Sequence, residues 1–440
     1  GSLRGSMMFE KYDAYKDSYI QGIKLIPEKW KVIKLKYLLD SKAGFAFPSD
    51  AFSDSGTAVV RISDLLVSGV VDISKSPKLP SKFNKYLSEY FAEEGNILMA
   101  MTGGTIGKVS IYKYEQKSFL NQRVCKFIPK ANFYPKLAWY WMNTDVWKDY
   151  IDLKAFGGAQ PNISDNTIKE MQICLPDSLD TQISICNFLD KKTYEIEQVI
   201  AIKEQQIALL NERKQIVIQK AVTQGLDSNV PMKDSGVEWI GQIPEHWEIR
   251  ANRTIFKERN EQGKEGLPLL SVSIHSGVSN EEISEEDNVR GRVKIEDKSK
   301  YILVKKGDIA FNMMRAWQGG IGAVSVDGMV SPAYIVAKPN DLINSEFFEY
   351  QYRCPEFIQQ MDRYSKGITD FRKRLYWDGF KQLVTVVPPL EEQLKIVEQI
   401  KAIEQQTNFA IQIKNQQIEK LKEYKTTLIN DAVTGKIKVA

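Results

Sequence analysis

Cysteine and histidine are almost missing from this 440-residue sequence, which holds four cysteines (Cys125, Cys174, Cys186 and Cys354) and two histidines (His246 and His275). The cysteines show no paired spacing, so neither a disulfide framework nor a zinc site is expected, and a reducing cytoplasm fits best. Long apolar runs are lacking too. No stretch approaches a membrane span and no signal peptide is visible, so no membrane partner is expected. Charge of one sign is not in large excess: 60 basic against 56 acidic residues leave +4, so any nucleic-acid surface has to be a local patch. Gly1-Ser-Leu-Arg-Gly-Ser6 reads as an expression-vector remnant, with the natural start expected at Met7 or Met8. This length predicts two or three domains, each able to bury a core.

The most informative absence is local. Leu179 to Thr223 contains neither proline nor glycine, while Pro176 precedes it and Gly225 follows it. Its Lys, Glu, Gln, Ile and Leu content then predicts one continuous helix. At about 1.5 Å per residue this is a rod on the order of 65 Å long, too long for an ordinary helix of one core. A second such stretch opens at Leu390-Glu-Glu-Gln-Leu-Lys-Ile-Val after Pro388-Pro389 and closes at Asp431-Ala-Val-Thr-Gly435. Gln182 matches Gln393 and Val222 matches Val433, both at an offset of 211. Loops tolerate insertions, so an unchanged count along both rods makes rod length the property to explain.

Each rod carries one apolar seam. In the first it runs through Ile185, Leu189, Lys192, Ile196, Ile200, Lys203, Ile207, Leu210, Lys214, Val217 and Ala221. In the second it runs through Ile396, Ile400, Ile403, Thr407, Ile411, Lys414, Ile418, Leu421, Lys425, Leu428 and Ala432. Steps of four and three alternate as in a coiled coil, with one extra four-step that should locally unwind the supercoil. Lysines at matching seam positions cost stability but fix register and partner.

The remainder forms two related segments. The first enters through Ile26-Pro-Glu-Lys-Trp-Lys-Val. It carries strand-like runs at Ile97-Leu-Met-Ala-Met, Lys108-Val-Ser-Ile-Tyr and Val124-Cys-Lys-Phe-Ile. A helix from Pro135, with Leu137, Trp141 and Trp147 among its apolar positions, and a last strand Ile173-Cys-Leu-Pro176 are expected. The second segment enters through an echo, Ile243-Pro-Glu-His-Trp-Glu-Ile. The offset drifts through these segments (217 from Pro27 to Pro244, 212 from Gly95 to Gly307) and locks at 211 in the rods, so the repeat is a half-chain. The expected divisions are a remnant and N-terminal arm at 1–19, a first domain at 20–176, a helical spacer at 177–225, a second domain at 226–388, and a second helical spacer with tail at 389–440. The fold class is α+β: two mixed α/β domains separated by two long helices that pair as an antiparallel coiled coil, with an internal pseudo-two-fold repeat. Two related modules held at a fixed separation suit a reader of two DNA half-sites.

Several motifs carry a resemblance. Met232-Lys-Asp-Ser-Gly-Val-Glu-Trp-Ile-Gly followed by Ile-Pro-Glu-His-Trp-Glu resembles the start of the second target-recognition domain of type I restriction–modification specificity subunits. Glu94-Gly-Asn-Ile-Leu-Met-Ala-Met-Thr-Gly-Gly-Thr-Ile-Gly-Lys108 resembles that family's Gly-Asp-Ile-Leu segment. Val387-Pro-Pro-Leu-Glu-Glu-Gln393 and Ala432-Val-Thr-Gly435 resemble the opening and the end of its helices. Two places depart from the pattern. Leu175-Pro-Asp-Ser-Leu-Asp-Thr-Gln182 lacks the Glu before Gln, and Lys305-Lys-Gly-Asp-Ile-Ala-Phe-Asn312 leads into Met-Met-Arg-Ala-Trp instead of a Thr-Gly-Gly loop.

The resemblance implies a non-catalytic subunit without a cofactor of its own. Each domain would read one half of a bipartite target in double-stranded DNA. The helices would set the spacer and dock two methyltransferase (M) subunits, and restriction (R) subunits would join for ATP-dependent cleavage. S-adenosylmethionine then belongs to the M subunit, and ATP and Mg to the R subunit. The alternative within this class is the specificity portion of another bipartite-site restriction system. A self-sufficient enzyme is disfavoured, because no Asn/Asp-Pro-Pro-Tyr/Phe motif occurs and Pro176-Asp177 has no Glu-x-Lys partner. A coiled-coil adaptor that ignores DNA is the other rival.

Candidate DNA contacts follow from amide, guanidinium and ammonium groups in loops. In the first domain these are Gly104, Thr105 and Lys108, then Asn121, Gln122 and Arg123, then Gln160 and Asn162 in Phe156-Gly-Gly-Ala-Gln-Pro-Asn-Ile-Ser164. In the second they are Asn312, Arg315 and Gln318 around Trp317, then Lys366, Arg372 and Arg374 in the more basic Tyr364–Arg374 loop. Thr102-Gly-Gly-Thr-Ile-Gly-Lys108 fails as a phosphate-binding nucleotide loop, since its first glycine is misplaced and Val109 stands where Ser or Thr would hold magnesium. A turn with glycines at positive φ is the plainer reading. The acidic run Glu281 to Asp287 reads as a solvated loop facing away from DNA, and the histidines as ordinary surface or core residues.

Overall fold

A computed structural model describes residues 9–66, 69–158, 161–274, 277–279, 300–367 and 373–439. The chain divides into two units, residues 1–203 with 415–440, and residues 204–414.

In the first unit the centre is an antiparallel sheet ordered Leu39–Ala43, Val124–Pro129, Ile97–Ala100 and Val109–Ile111. Ile97–Ala100 is buried at every position. A strand covered on both faces reads as a continuous apolar run and not as an alternation, which is why this stretch stood out in the sequence. Three helices follow: Pro135–Trp141, Asp145–Lys154 and Asp165–Lys169. The single helix expected from Pro135 through Trp147 is in fact two. Thr144 starts the second, its hydroxyl accepting from the Trp147 amide, and so ends the first. Gln172–Leu175 then pairs with Lys31–Lys34, and the residues ahead of position 20 form a strand, Tyr15–Ile20, on Ile23–Pro27. A side sheet of Lys78–Leu79, Thr57–Val60, Ser118–Leu120 and Phe91–Ala92 has its own small core of Val59, Leu79, Phe91 and Phe119.

The second unit repeats this plan. Its central sheet is ordered Phe256–Glu258, Tyr334–Pro339, Ile309–Asn312 and Ile321–Ala323. Helices Ser345–Tyr352, Pro355–Tyr364 and Trp377–Phe380 follow, and Val384–Val387 closes on Glu248–Ala251. Met232–Asp234 on Gln242–Pro244 stands where Tyr15–Ile20 and Ile23–Pro27 stand in the first.

The long helices span Leu179–Gln224 and Leu390–Val433. Within each unit they pack antiparallel. In the first, Ile185, Leu189 and Ile196 share a core with Leu428, Ile429, Ala432 and Val433. In the second, Ile218, Ala221 and Val222 share one with Ile396, Val397 and Ile400. From Ile196 to Val217 the covered positions are 196, 200, 203, 207, 210, 214 and 217, one side of the helix. Seam lysines reach across: Lys425 to Glu197 at 2.5 Å and Lys203 to Gln417 at 2.6 Å in the first unit, Lys214 to Asn408 at 3.4 Å in the second. Each helix ends on a left-handed glycine seated on the Ile-Pro-x-x-Trp echo. Gly435 (φ +75°) lies against Pro27 and Trp30, and Gly225 (φ +80°) against Pro244 and Trp247.

All four cysteines are free and buried, and burial pushes each thiol up to about 12, so they are packing residues and not nucleophiles. Among the described residues no group of His, Cys, Asp and Glu is placed to hold a metal ion, and no helix is long and apolar enough to cross a membrane.

Candidate nucleic-acid interface

In the first unit, two loops far from it in sequence are stitched to the start of the glycine loop, Met101-Thr102-Gly103. The Met101 amide donates to the Arg123 carbonyl at 2.9 Å, and the Met101 carbonyl accepts from the Ile163 amide at 3.1 Å. The Gly103 amide donates to the Pro161 carbonyl at 2.9 Å, and Thr102 bridges Asn162. The glycine loop, the Asn121–Arg123 turn and the loop around Asn162 therefore meet at one end of the central sheet. Gly104, Thr105, Gln122, Arg123 and Asn162 are exposed there, with Lys108 and Asn121 half-buried. Gln160 lies outside the described residues.

The glycine loop is a turn between strands, with Gly103 at φ +76° and Gly107 at φ +81°. No helix follows it, so the nucleotide-loop arrangement is ruled out. Trp147 holds it from below through an Nε1 bond to the Gly107 carbonyl at 3.1 Å. Asn121 Oδ1 accepts from the Arg123 amide at 3.2 Å, which tightens the turn.

The second unit uses the same stitching. The Met313 amide donates to the Ala333 carbonyl at 3.2 Å, and the Met313 carbonyl accepts from the Leu375 amide at 2.8 Å. Lys366 and Arg374 exchange two backbone hydrogen bonds of 2.9 Å. Asn312 is half-buried and turns the chain by accepting from the Met314 amide at 2.9 Å. Arg315 and Gln318 are exposed and joined to each other at 3.0 Å. Lys366 is exposed and Arg374 half-buried, while Arg372 lies outside the described residues, as do His275 and the acidic run at 281–287. His246 pairs through Nε2 with Glu392 at 2.8 Å, at the base of the second long helix.

Sequence reasoning missed the supports and two aromatic neighbours. Gly44 passes so close to the Asn121 turn that a Cβ there would lie 2.2 Å from the Asn121 carbonyl oxygen. Phe45 bridges Asn121 and accepts from the Gln122 amide at 3.0 Å. Phe156, 64% exposed, stands on the loop that returns to Asn162. Lys373 lies over the Trp317 ring at 5.3 Å in the second unit. The contacts of Gly44, Phe45 and Lys373 span long sequence separations that no local pattern marks, and Phe156 carries no signal of its own in its loop.

Both halves match one family model, the type I restriction modification DNA specificity domain, over residues 27–210 and 238–423. The chain is 23% identical over 456 residues to the type I restriction enzyme MjaVIII specificity subunit of Methanocaldococcus jannaschii, covering 98% of each chain. It is 24% identical over 418 residues to the type I restriction enzyme EcoBI specificity subunit of Escherichia coli, covering 89% of this chain and 84% of that one. Its fold is similar to a chain solved in work on complex assembly and conformational transition of the type I R-M system. That match has a TM-score of 0.66 at 14% identity, over 94% of this chain and 99% of the other. With two copies of the domain spanning most of its length, this chain belongs to the specificity subunits of type I restriction–modification systems.

Proposed function

We propose that each recognition domain binds one half of a bipartite target in double-stranded DNA, while the long helices set the unspecified spacer and dock two methyltransferase subunits. Restriction subunits join that complex for ATP-dependent cleavage. The chain works in the cytoplasm and supplies no catalysis; S-adenosylmethionine belongs to the methyltransferase subunit, and ATP and Mg to the restriction subunit. The observation that carries this reading is the pair of loop clusters, built on one backbone pattern but presenting different side chains: Gly104, Thr105, Lys108, Gln122, Arg123 and Asn162 against Asn312, Arg315, Gln318, Lys366 and Arg374. Amide and guanidinium groups on such loops suit base edges, and lysines suit phosphates. Docking is supported by Leu209 and Ile216, seven residues apart on the second unit's part of the first long helix. They are 54% and 46% exposed, an apolar stripe that a partner helix would cover.

The test uses the assembled methyltransferase complex. Insertion of whole helical turns into the first long helix or its linker is expected to lengthen the gap and leave both half-sites unchanged. A changed base preference would overturn the division of labour. Duplex affinity should also fall steeply as salt rises, which an adaptor indifferent to DNA would not show.

A further inference from the structure

Gln182 and Gln393 are buried, 1% and 0% exposed, on the first turn of the two long helices. Gln182 Oε1 accepts from the Tyr134 amide at 2.9 Å, and its Nε2 donates to the carbonyls of Asn132 and Pro176, each at 3.2 Å. Gln393 repeats this. Its Oε1 accepts from the Asn344 amide at 2.8 Å, and its Nε2 donates to the carbonyls of Leu342 at 2.9 Å and Pro388 at 2.8 Å. One neutral amide thus ties three backbone groups: two in the loop that opens the domain's own helix and one just ahead of the long helix. A carboxylate could not donate to the two carbonyls, and an aliphatic side chain would bond none of the three groups and leave the buried Pro176 or Pro388 carbonyl without this donor.

The charges beside the clamp have been exchanged. In the first unit Lys136 of the domain pairs with Asp190 of the helix at 2.5 Å. In the second, Glu346 of the domain pairs with Lys401 of the helix at 2.6 Å, the same contact with its polarity reversed. A tyrosine hydroxyl joins each: Tyr140 to Asp190 at 2.7 Å, Tyr350 to Glu404 at 2.8 Å. The feature held constant between the units is therefore the amide clamp, whose geometry is independent of which partner carries the charge.

We propose that Gln182 and Gln393 are positioning residues that stop each recognition domain from turning on its stretch of helix, and so make the complex selective for the gap between half-sites. This rests on the bipartite reading above. A base pair adds about 3.4 Å of rise and roughly one tenth of a turn, so a domain that rocks by a few ångströms blurs the gap by one position.

The test is methylation by the assembled complex on duplexes carrying both half-sites, first located by single-molecule sequencing of methylated host DNA. The gap is set at its preferred length and at one or two base pairs more or less. Gln182→Glu is expected to cut the discrimination between the preferred gap and its neighbours about tenfold, with base preference within each half-site unchanged. Gln182→Asn, too short to reach all three partners, should do the same and serves if the first variant does not assemble. Ile97→Ala, a truncation in the core of the same domain, should lower Tm without changing gap discrimination. Unaltered discrimination in both Gln182 variants overturns the proposal, as does an equal loss in Ile97→Ala at equal Tm. A wild-type complex indifferent to the gap would instead remove the bipartite reading itself.

Discussion

In the first unit the strand Ile97–Ala100 follows Asn96, whose Oδ1 accepts from the Glu93 amide at 3.0 Å; in the second, Ile309–Asn312 follows Asp308, whose Oδ2 accepts from the Lys305 amide at 2.8 Å. The turn is the same, but the asparagine is neutral and the aspartate is a charge only 2% exposed. Arg259, itself 7% exposed, answers that charge with two bonds, Nε to Oδ2 at 2.7 Å and Nη2 to Oδ1 at 3.1 Å. The corresponding residue of the first unit is Lys42, which points to solvent and pairs with Glu89 at 2.7 Å. One backbone plan thus tolerates a buried ion pair or none, provided both members change together.

The comparison can be broken most severely at that pair. Arg259→Met leaves the buried Asp308 with the Lys305 amide but without a counter-charge, and should cost about 3–5 kcal/mol in denaturant unfolding. The double variant Arg259→Met with Asp308→Asn, which puts the first unit's neutral asparagine in the turn, should recover most of this. Lys42→Met, acting on an exposed pair, should change stability far less. Equal losses for Arg259→Met and Lys42→Met would contradict the contrast.

A smaller effect is expected at Gly44. A methyl there would lie 2.2 Å from the Asn121 oxygen and 2.4 Å from the Leu120 oxygen, and backbone cannot yield as a flexible side chain can. Gly44→Ala should cost about 1–3 kcal/mol by overpacking and displace the Asn121–Arg123 turn. Binding to the first half-site should weaken while the second is read as before, measured with duplexes altered in one half-site at a time.

The smallest effect is a difference in pH dependence. Hydrogen bonds from Lys34 and Lys36 hold the exposed Glu170 carboxyl down at about 2. Its contribution is therefore present above the ordinary carboxylate range, near 4.5, and is lost as pH falls toward 2. Glu349 of the second unit is shifted the other way. Burial raises it, opposed by the Ala323 amide and by Arg353 at 3.1 Å. The folded state then holds the Glu349 proton more tightly than the unfolded chain, so its contribution declines as pH rises through and above the ordinary range. Glu170→Gln should flatten the acid limb of the stability curve and Glu349→Gln should remove the opposing slope; matching changes in both variants would refute the contrast.

The seam of the long helices was legible because helical periodicity writes burial directly into the residue order, and Ile196, Ile200, Lys203 and Ile207 needed no knowledge of any other segment. Ile97–Ala100 and Val124–Pro129 were legible for the same reason, as apolar runs. The clamp was not. Gln182 and Gln393 showed as matching positions in the helix openings but with no role, since glutamine on a helix reads as a solvated residue until its backbone partners are seen. The break between Trp141 and Asp145 was hidden because Thr144 caps a helix through a hydroxyl that has no periodic signature. In the loop clusters the residue types were readable one by one. Their convergence on Met101 and Met313 was not, because β-pairing joins positions whose separation no local pattern encodes.

The account's central claim is that the two recognition domains read independently. Residues 20–176 should be exchanged for the equivalent domain of another specificity subunit, and the DNA methylated by the resulting complex mapped by single-molecule sequencing. The account predicts that one half of the target changes while the other half and the gap stay as they were. A change in both halves, or in neither, would contradict it.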